Sequence, residues 1–142
     1  TQKVDFFGNV PDEELLDALQ RAVALVFPSL VEGFGMPVLE AQAVGCPVIT
    51  SDRGVLPETA GDAALFVDPY DAWDIARAME TLYRDLPLRE SLVRKGRERA
   101  ARFTWEETAR KTRHVYDLVM GQSLPEFHAV RQVLAPAAGV QA

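Results

Sequence analysis

Glu32 and Glu40 stand on either side of seven residues reading GFGMPVL, and this stretch carries the most chemistry in the chain. A carboxylate on a glycine-rich loop, followed by a second at the start of a helix, sets two acceptors beside backbone N–H donors. Hydroxyls donate to carboxylates, and phosphate oxygens accept from helix-terminal amides. The pair therefore suits a ligand bearing both groups, as a nucleotide sugar does. Gly33 and Gly35 lack Cβ atoms, which opens positive φ to the backbone and lets a ligand reach the main chain. Pro37 fits the first helical position, where its missing N–H goes unused. Val38, Leu39 and Glu40 are then expected to present free amides, with the positive end of the helix dipole behind them. Such a start is a diphosphate cradle without lysine. Glu40, expected in the first turn, is placed to accept from the two hydroxyls of a ribose. Glu32, on the strand side, faces whatever lies beyond the β-phosphate.

The elements that must hold these residues alternate. Pro11 and Asp12 open a helix with Leu15, Ala18, Leu19 and Ala22 at helical spacing, and Asp12, Glu13 and Glu14 suit its positive end. Ala24 to Phe27 is a short continuous apolar run ended by Pro28 and Ser29, the pattern of a buried parallel strand. A helix over 37–44 is stopped by Gly45; Pro47 to Thr50 and Ala63 to Val67 read as the next strands, with Ser51-Asp52-Arg53-Gly54 a turn between them. Val4-Asp5-Phe6-Phe7-Gly8 reads as a strand entering a turn, and so abrupt an opening points to an excised piece of a longer protein. From Ala72 onward the spacing is helical: Ala72 to Leu86 broken at Pro87, Leu88 to Arg102, then Trp105 to Val119. Trp105 is expected to anchor in a core, with Thr104 as N-cap and Glu107 as capping-box partner. Strands alternating with helices imply an α/β fold, a Rossmann-like, doubly wound open parallel sheet with a helical C-terminal tail. Ligands of such sheets bind outside the carboxyl ends of the strands, and the loop after Phe27 is at one. Residues 1–120 form the expected ligand-binding domain, and 121–142 a weakly structured tail or short helix.

Composition narrows the functions. The 142 residues are 48% hydrophobic, one domain's worth of chain with enough apolar material for a core. A formal charge of −6 argues against a nucleic-acid binder. The single cysteine, Cys46, excludes an internal disulfide framework and reads as a small packed apolar residue. His114 and His128 are isolated and form no metal site. With no leader pattern and no apolar run of membrane-spanning length, a cytoplasmic location is expected. The span Arg77 to Arg113 holds eleven of the fifteen basic residues. A solvated helical face is the plain reading, with contact to an anionic membrane surface or to another domain as the alternative.

Taken together, Phe27-Pro28-Ser29, the run Glu32 to Ala41, and Gly45-Cys46-Pro47-Val48-Ile49 resemble the donor-binding core of retaining glycosyltransferases with the GT-B fold, in the glycosyl transferases group 1 (family four) class. Gly8 to Leu16, Pro57-Glu58, Gly61 to Leu65, Asp68-Pro69 and Phe103-Thr104-Trp105 resemble further landmarks of its C-terminal domain. The resemblance covers about residues 4 to 120, and its motif set is far more specific than a lone glycine fingerprint.

The resemblance implies the donor-binding half of a two-domain enzyme that moves a sugar from a nucleotide diphosphate sugar to an acceptor hydroxyl with retention. Glu32 would take the catalytic place near the transferred sugar and Glu40 the ribose. The amides of Gly33, Phe34, Gly35 and Met36 would meet sugar hydroxyls, and those of Val38 and Leu39 would lie toward the phosphates. No cofactor and no dedicated metal are implied, and the sequence has no Asp-x-Asp motif. The family's Arg and Lys that neutralise the departing diphosphate have no match here, since Lys3 and Arg21 lie in the wrong context. The isolated chain is therefore expected to be inactive. Expected partners are the donor, the N-terminal acceptor domain and, through the apolar stripe of the last helix, a second copy. The rival reading is a non-catalytic module that binds a nucleotide sugar or a partner chain, as a subunit of a split enzyme would.

Overall fold

A strand that is apolar on both sides needs a helical layer on each face of its sheet, and this requirement organises the chain. A computed structural model describes residues 4–121. In order, its elements are α1 (Asp12–Arg21), β1 (Leu25–Phe27), α2 (Met36–Val44), β2 (Val48–Ser51), α3 (Leu56–Ala60), β3 (Leu65–Val67), α4 (Ala72–Arg84), α5 (Leu86–Ala100) and α6 (Trp105–Met120). The chain falls into two compact units, Thr1–Phe103 and Thr104–Ala142.

In the first unit the three strands form one parallel sheet in the order β1-β2-β3. Val26 pairs with Ile49, and Ile49 with Leu65. Because side chains alternate across a strand, Leu25, Phe27 and Val48 face a core shared with Leu19, Val38, Ala41 and Leu56. Val26, Ile49, Leu65 and Val67 face the other, shared with Ile75, Leu82, Leu88 and Leu92. Helices α1 to α3 cover one face and α4 and α5 the other, so the doubly wound α/β expectation holds. Full burial of Ile49, Leu56 and Leu82 contributes about 1.5–3 kcal/mol for each side chain. Helix α5 reaches both layers: Leu92 belongs to the second core, while Gly96 lies against Gln42 of α2, where a Cβ would meet the Gln42 Cγ at 3.2 Å.

Several local expectations change. Residues 4–8 form no strand, and Phe6 and Phe7 are exposed, because no described strand pairs with them. Helix α3, for which no element was expected, follows the turn expected at Ser51 to Gly54. Pro57 falls in its first turn and needs no donor there. The break between α4 and α5 is Asp85, whose carboxylate accepts from the Leu88 N–H at 2.8 Å. Pro87 lies inside the first turn of α5 rather than ending α4.

In the second unit, Thr104 caps α6 as expected, its hydroxyl accepting from the Glu107 N–H at 3.1 Å. The capping box is only half made, since the Glu107 carboxylate takes both a 2.8 Å and a 2.7 Å bond from Arg110 instead of turning back. These bonds hold its pKa down to about 2. Trp105 is no core anchor: it is 79% exposed, and α6 has no second described element of its own unit to pack on. The expectation for the tail falls outside the described residues, apart from Gly121.

Candidate functional site

The glycine loop leaves the sheet at the carboxyl end of β1, as a parallel sheet requires of a ligand-binding connection. Its root is fixed: the Thr50 hydroxyl on β2 donates to the Phe27 carbonyl at 2.9 Å, and the Ser29 hydroxyl donates to the Val31 carbonyl at 3.3 Å. Glu32 follows, half-buried, and then Gly33 and Phe34, both exposed. Gly35 is buried with φ +89°, the left-handed N-cap of α2. This sharp reversal starts the helix directly beneath the loop.

The N–H groups of Gly33, Phe34 and Met36 have no hydrogen-bond partner among the described residues. The loop thus offers backbone donors at its exposed rim, with the positive end of α2 below them. Val38 does not belong to that set. Its N–H donates to the Gly35 carbonyl at 3.0 Å and the residue is wholly buried. The left-handed turn brings the residue 35 carbonyl within reach of an i+3 amide and uses the donor expected to be free. The Leu39 side chain is buried, but its N–H, unlike that of Val38, has no hydrogen-bond partner among the described residues. Pro37 stands second, not first, and Glu40 is the fifth helical residue, so no acid lies in the first turn. Glu40 is exposed and four residues after Met36, on the same side of the helix one turn deeper. Glu32 and the loop donors thus lie on the connection leaving β1, Glu40 is exposed one turn along α2, and the side chains of Val38 and Leu39 are buried behind them.

Sequence reading missed what stands behind the loop. The Thr59 hydroxyl, from α3, donates to the Phe34 carbonyl at 2.5 Å. The Phe103 ring meets the Phe34 ring edge-on, with centroids 5.8 Å apart and planes at 73°. Nothing in the sequence marks Thr59, and Phe103 is visible there only as part of a landmark string.

Beside the loop, the carboxyl ends of β2 and β3 are tied to each other. Arg53 bridges Asp68 at 3.2 Å and lies over the Tyr70 ring at 5.6 Å. The Tyr70 N–H and then Arg53 hold the Asp68 carboxyl below the usual carboxylate range. The Asp68 N–H and then Arg77 do the same for Asp74. The charge of Arg53 is thus engaged within this turn. Burial pushes the Cys46 thiol up, in keeping with its packing role. A groove of about 560 Å³ lies between Val23, Pro47 and one side of α5. It opens at the amino ends of β1 and β2, away from the glutamate pair. Among the described residues no group of three or more His, Cys, Asp or Glu is placed to hold a metal ion. No helix there is long and apolar enough to cross a membrane.

Comparison with known proteins bears on the family and the fold. The family model described as "Glycosyl transferases group 1" matches residues 1–99. The O-antigen chain mannosyltransferase B of Escherichia coli is 38% identical over 116 residues, covering 82% of this chain and 30% of that protein. A D-inositol 3-phosphate glycosyltransferase of Corynebacterium aurimucosum is 35% identical over 132 residues, 92% of this chain and 31% of that protein. The structure of the sucrose-phosphate synthase from Thermosynechococcus elongatus superposes with a TM-score of 0.73 at 33% identity, covering 82% of this chain and 30% of that one. The chain spans about a third of the length of the curated relatives it matches.

Proposed function

The chain belongs to the glycosyl transferases group 1 family, and from that premise we propose that it binds a nucleotide diphosphate sugar as the donor half of a retaining glycosyltransferase. The observation that carries this reading is the row of unpartnered N–H groups at Gly33, Phe34 and Met36, set between Glu32 and Glu40 at the carboxyl end of β1. Carboxylates alone repel a diphosphate; amides alone do not select hydroxyls. The loop supplies both.

In this reading Glu40 accepts from the ribose hydroxyls. Met36 and the positive end of α2, with Val38 and Leu39 packed behind, lie toward the phosphates. Gly33, Phe34 and Gly35 line the sugar, and Glu32 stands beside the reacting carbon, where a carboxylate stabilises the positive charge that develops as the glycosidic bond breaks. The leaving diphosphate gains negative charge in the same step. Neutralising it calls for cations that these residues do not supply, so transfer belongs to a longer protein with an acceptor domain. Location in the cytoplasm, contact of the basic helices with an anionic membrane surface, and pairing of two copies through α6 are further proposals. Imaging of the tagged longer protein, sedimentation with anionic vesicles and light scattering test them in turn.

Titrating the chain with UDP-glucose and GDP-mannose, followed by amide NMR shifts and calorimetry, tests the donor reading. We expect Gly33 to Met36 to shift, and Glu40→Ala to weaken binding tenfold or more, as loss of charge-assisted hydrogen bonds implies. Absence of binding, or affinity unchanged by Glu40→Ala, would overturn it. A non-catalytic module built on the same cradle is told apart by a transfer assay on the longer protein.

A further inference from the structure

A loop whose amides are unpaired has no ladder to hold it, so its usefulness to a ligand depends on what fixes it from behind. Here two supports converge on one residue. The carbonyl of Phe34 accepts from the Thr59 hydroxyl at 2.5 Å, and its ring takes the edge-on contact of Phe103 at 5.8 Å. Both supports are themselves held by Arg99. Its Nε donates to the Thr59 carbonyl at 3.1 Å, a terminal nitrogen donates to the Glu58 carbonyl, and the guanidinium lies 5.0 Å from the centroid of the Phe103 ring. Thr59 is buried, which strengthens its bond to Phe34 by excluding water. Glu40 has no part in this set: it rides on α2, whose position is fixed by Val38 and Ala41 in the first core.

We infer that Thr59 and Phe103 are positioning residues for the donor sugar, holding Phe34 and the amides beside it in register while leaving the nucleotide contacts to α2. The inference rests on the donor-loop reading above. Its consequence is a separation of two affinities. Loosening the support costs contacts with the sugar and spares contacts with the ribose, so a nucleotide sugar and its bare nucleoside diphosphate respond differently.

The test uses the 142-residue chain with GDP-mannose and GDP, or UDP-glucose and UDP, taking the pair that the unaltered chain binds. Thr59→Val removes the hydroxyl at constant shape, Thr59→Ser restores it, and Phe103→Leu removes the ring. We expect Thr59→Val and Phe103→Leu each to weaken the nucleotide sugar about five-fold, the size of one lost hydrogen bond or ring contact. The diphosphate should stay within two-fold, and Thr59→Ser should recover the difference. In NMR spectra the extra shift that the sugar induces at the Gly35 amide should shrink in the same two variants. Equal weakening of both ligands, or no weakening of either, would overturn the positioning role while leaving the donor reading intact. If the unaltered chain binds neither pair, the donor reading fails and takes this inference with it.

Discussion

Gly35 and Leu56 touch so closely that a Cβ on residue 35 would stand 2.7 Å from the Leu56 Cδ2. That contact joins the glycine loop to α3, and it combines with a φ of +89° that side chains rarely tolerate. Gly35→Ala should therefore lower stability by about 1–3 kcal/mol, from strain and overpacking together. Gly33→Ala meets nothing within 4 Å and has no left-handed φ, so it should be neutral or stabilising by up to about 1 kcal/mol. Urea midpoints of the two variants measure the contrast, and equal losses would refute the role given to Gly35.

Gln42 makes a comparable test in the core. Its side-chain nitrogen donates to the carbonyls of Ala60 at 3.1 Å and Ala63 at 3.3 Å, tying α2 to the end of α3. Gln42→Leu removes both bonds, taking this donor from the Ala63 carbonyl while the Ala60 carbonyl keeps the Ala63 N–H at 3.3 Å, and should cost about 1–3 kcal/mol. Gln42→Glu sets an anion against two carbonyls in a buried place and should cost more at pH 7. Denaturant unfolding at pH 7 gives the order, and a milder Gln42→Glu would count against these bonds.

For the longer protein, the two glutamates should separate in kinetics. Glu32→Gln should lower kcat by about 10²–10³ with little change in donor KM, as expected of a group acting in the transition state. Glu40→Ala should act chiefly through donor KM. The 142-residue chain alone should transfer no sugar, and detected transfer would show that the leaving group needs no upstream cation.

Acid should loosen the molecule at its carboxylates. Glu107 is held at about 2 by Arg110, and Asp62 is lowered by its bond to Lys95, as are Asp68 and Asp74 by backbone N–H groups. A folded pKa below the unfolded value gives a contribution that is complete above the unfolded pKa, around 4, and disappears as pH falls through the folded one. Melting temperature should therefore be flat from about pH 5 to 7 and fall steadily between pH 4 and 2. Glu107→Gln should flatten that fall for α6, followed by circular dichroism.

How much of this was legible in the residues differs from place to place. Continuous apolar runs announced β1 and β2 because a parallel strand buried on both faces must be apolar on both, and the glycine pair announced the connection that leaves the carboxyl end of β1 for α2. The strand expected over residues 4–8 failed because an extended run needs a partner, which composition does not supply. Val38 was misjudged because whether an amide is free depends on where the preceding carbonyl points, and that follows from the left-handed turn at Gly35 rather than from residue type. Thr59 was invisible, since a threonine at 59 meets residue 34 only after α2, β2 and α3 have folded the chain back. Trp105 was assigned to a core on its apolar character alone, without a surface to receive it.

The packing of α5 sets the order in which the molecule can be completed during synthesis. Strands β1 to β3 pair in the order in which they emerge, each new strand beside the last. Yet the α2 surface around Gln42 stays uncovered until Gly96 is made, and the last carbonyls of α3 stay without Arg99 for longer still. The first layer to appear is closed by almost the last residues of the unit. A nascent chain paused before Ser91 would display that unfinished surface to chaperones and to neighbouring chains. One extended past Phe103 could shut it in a single step.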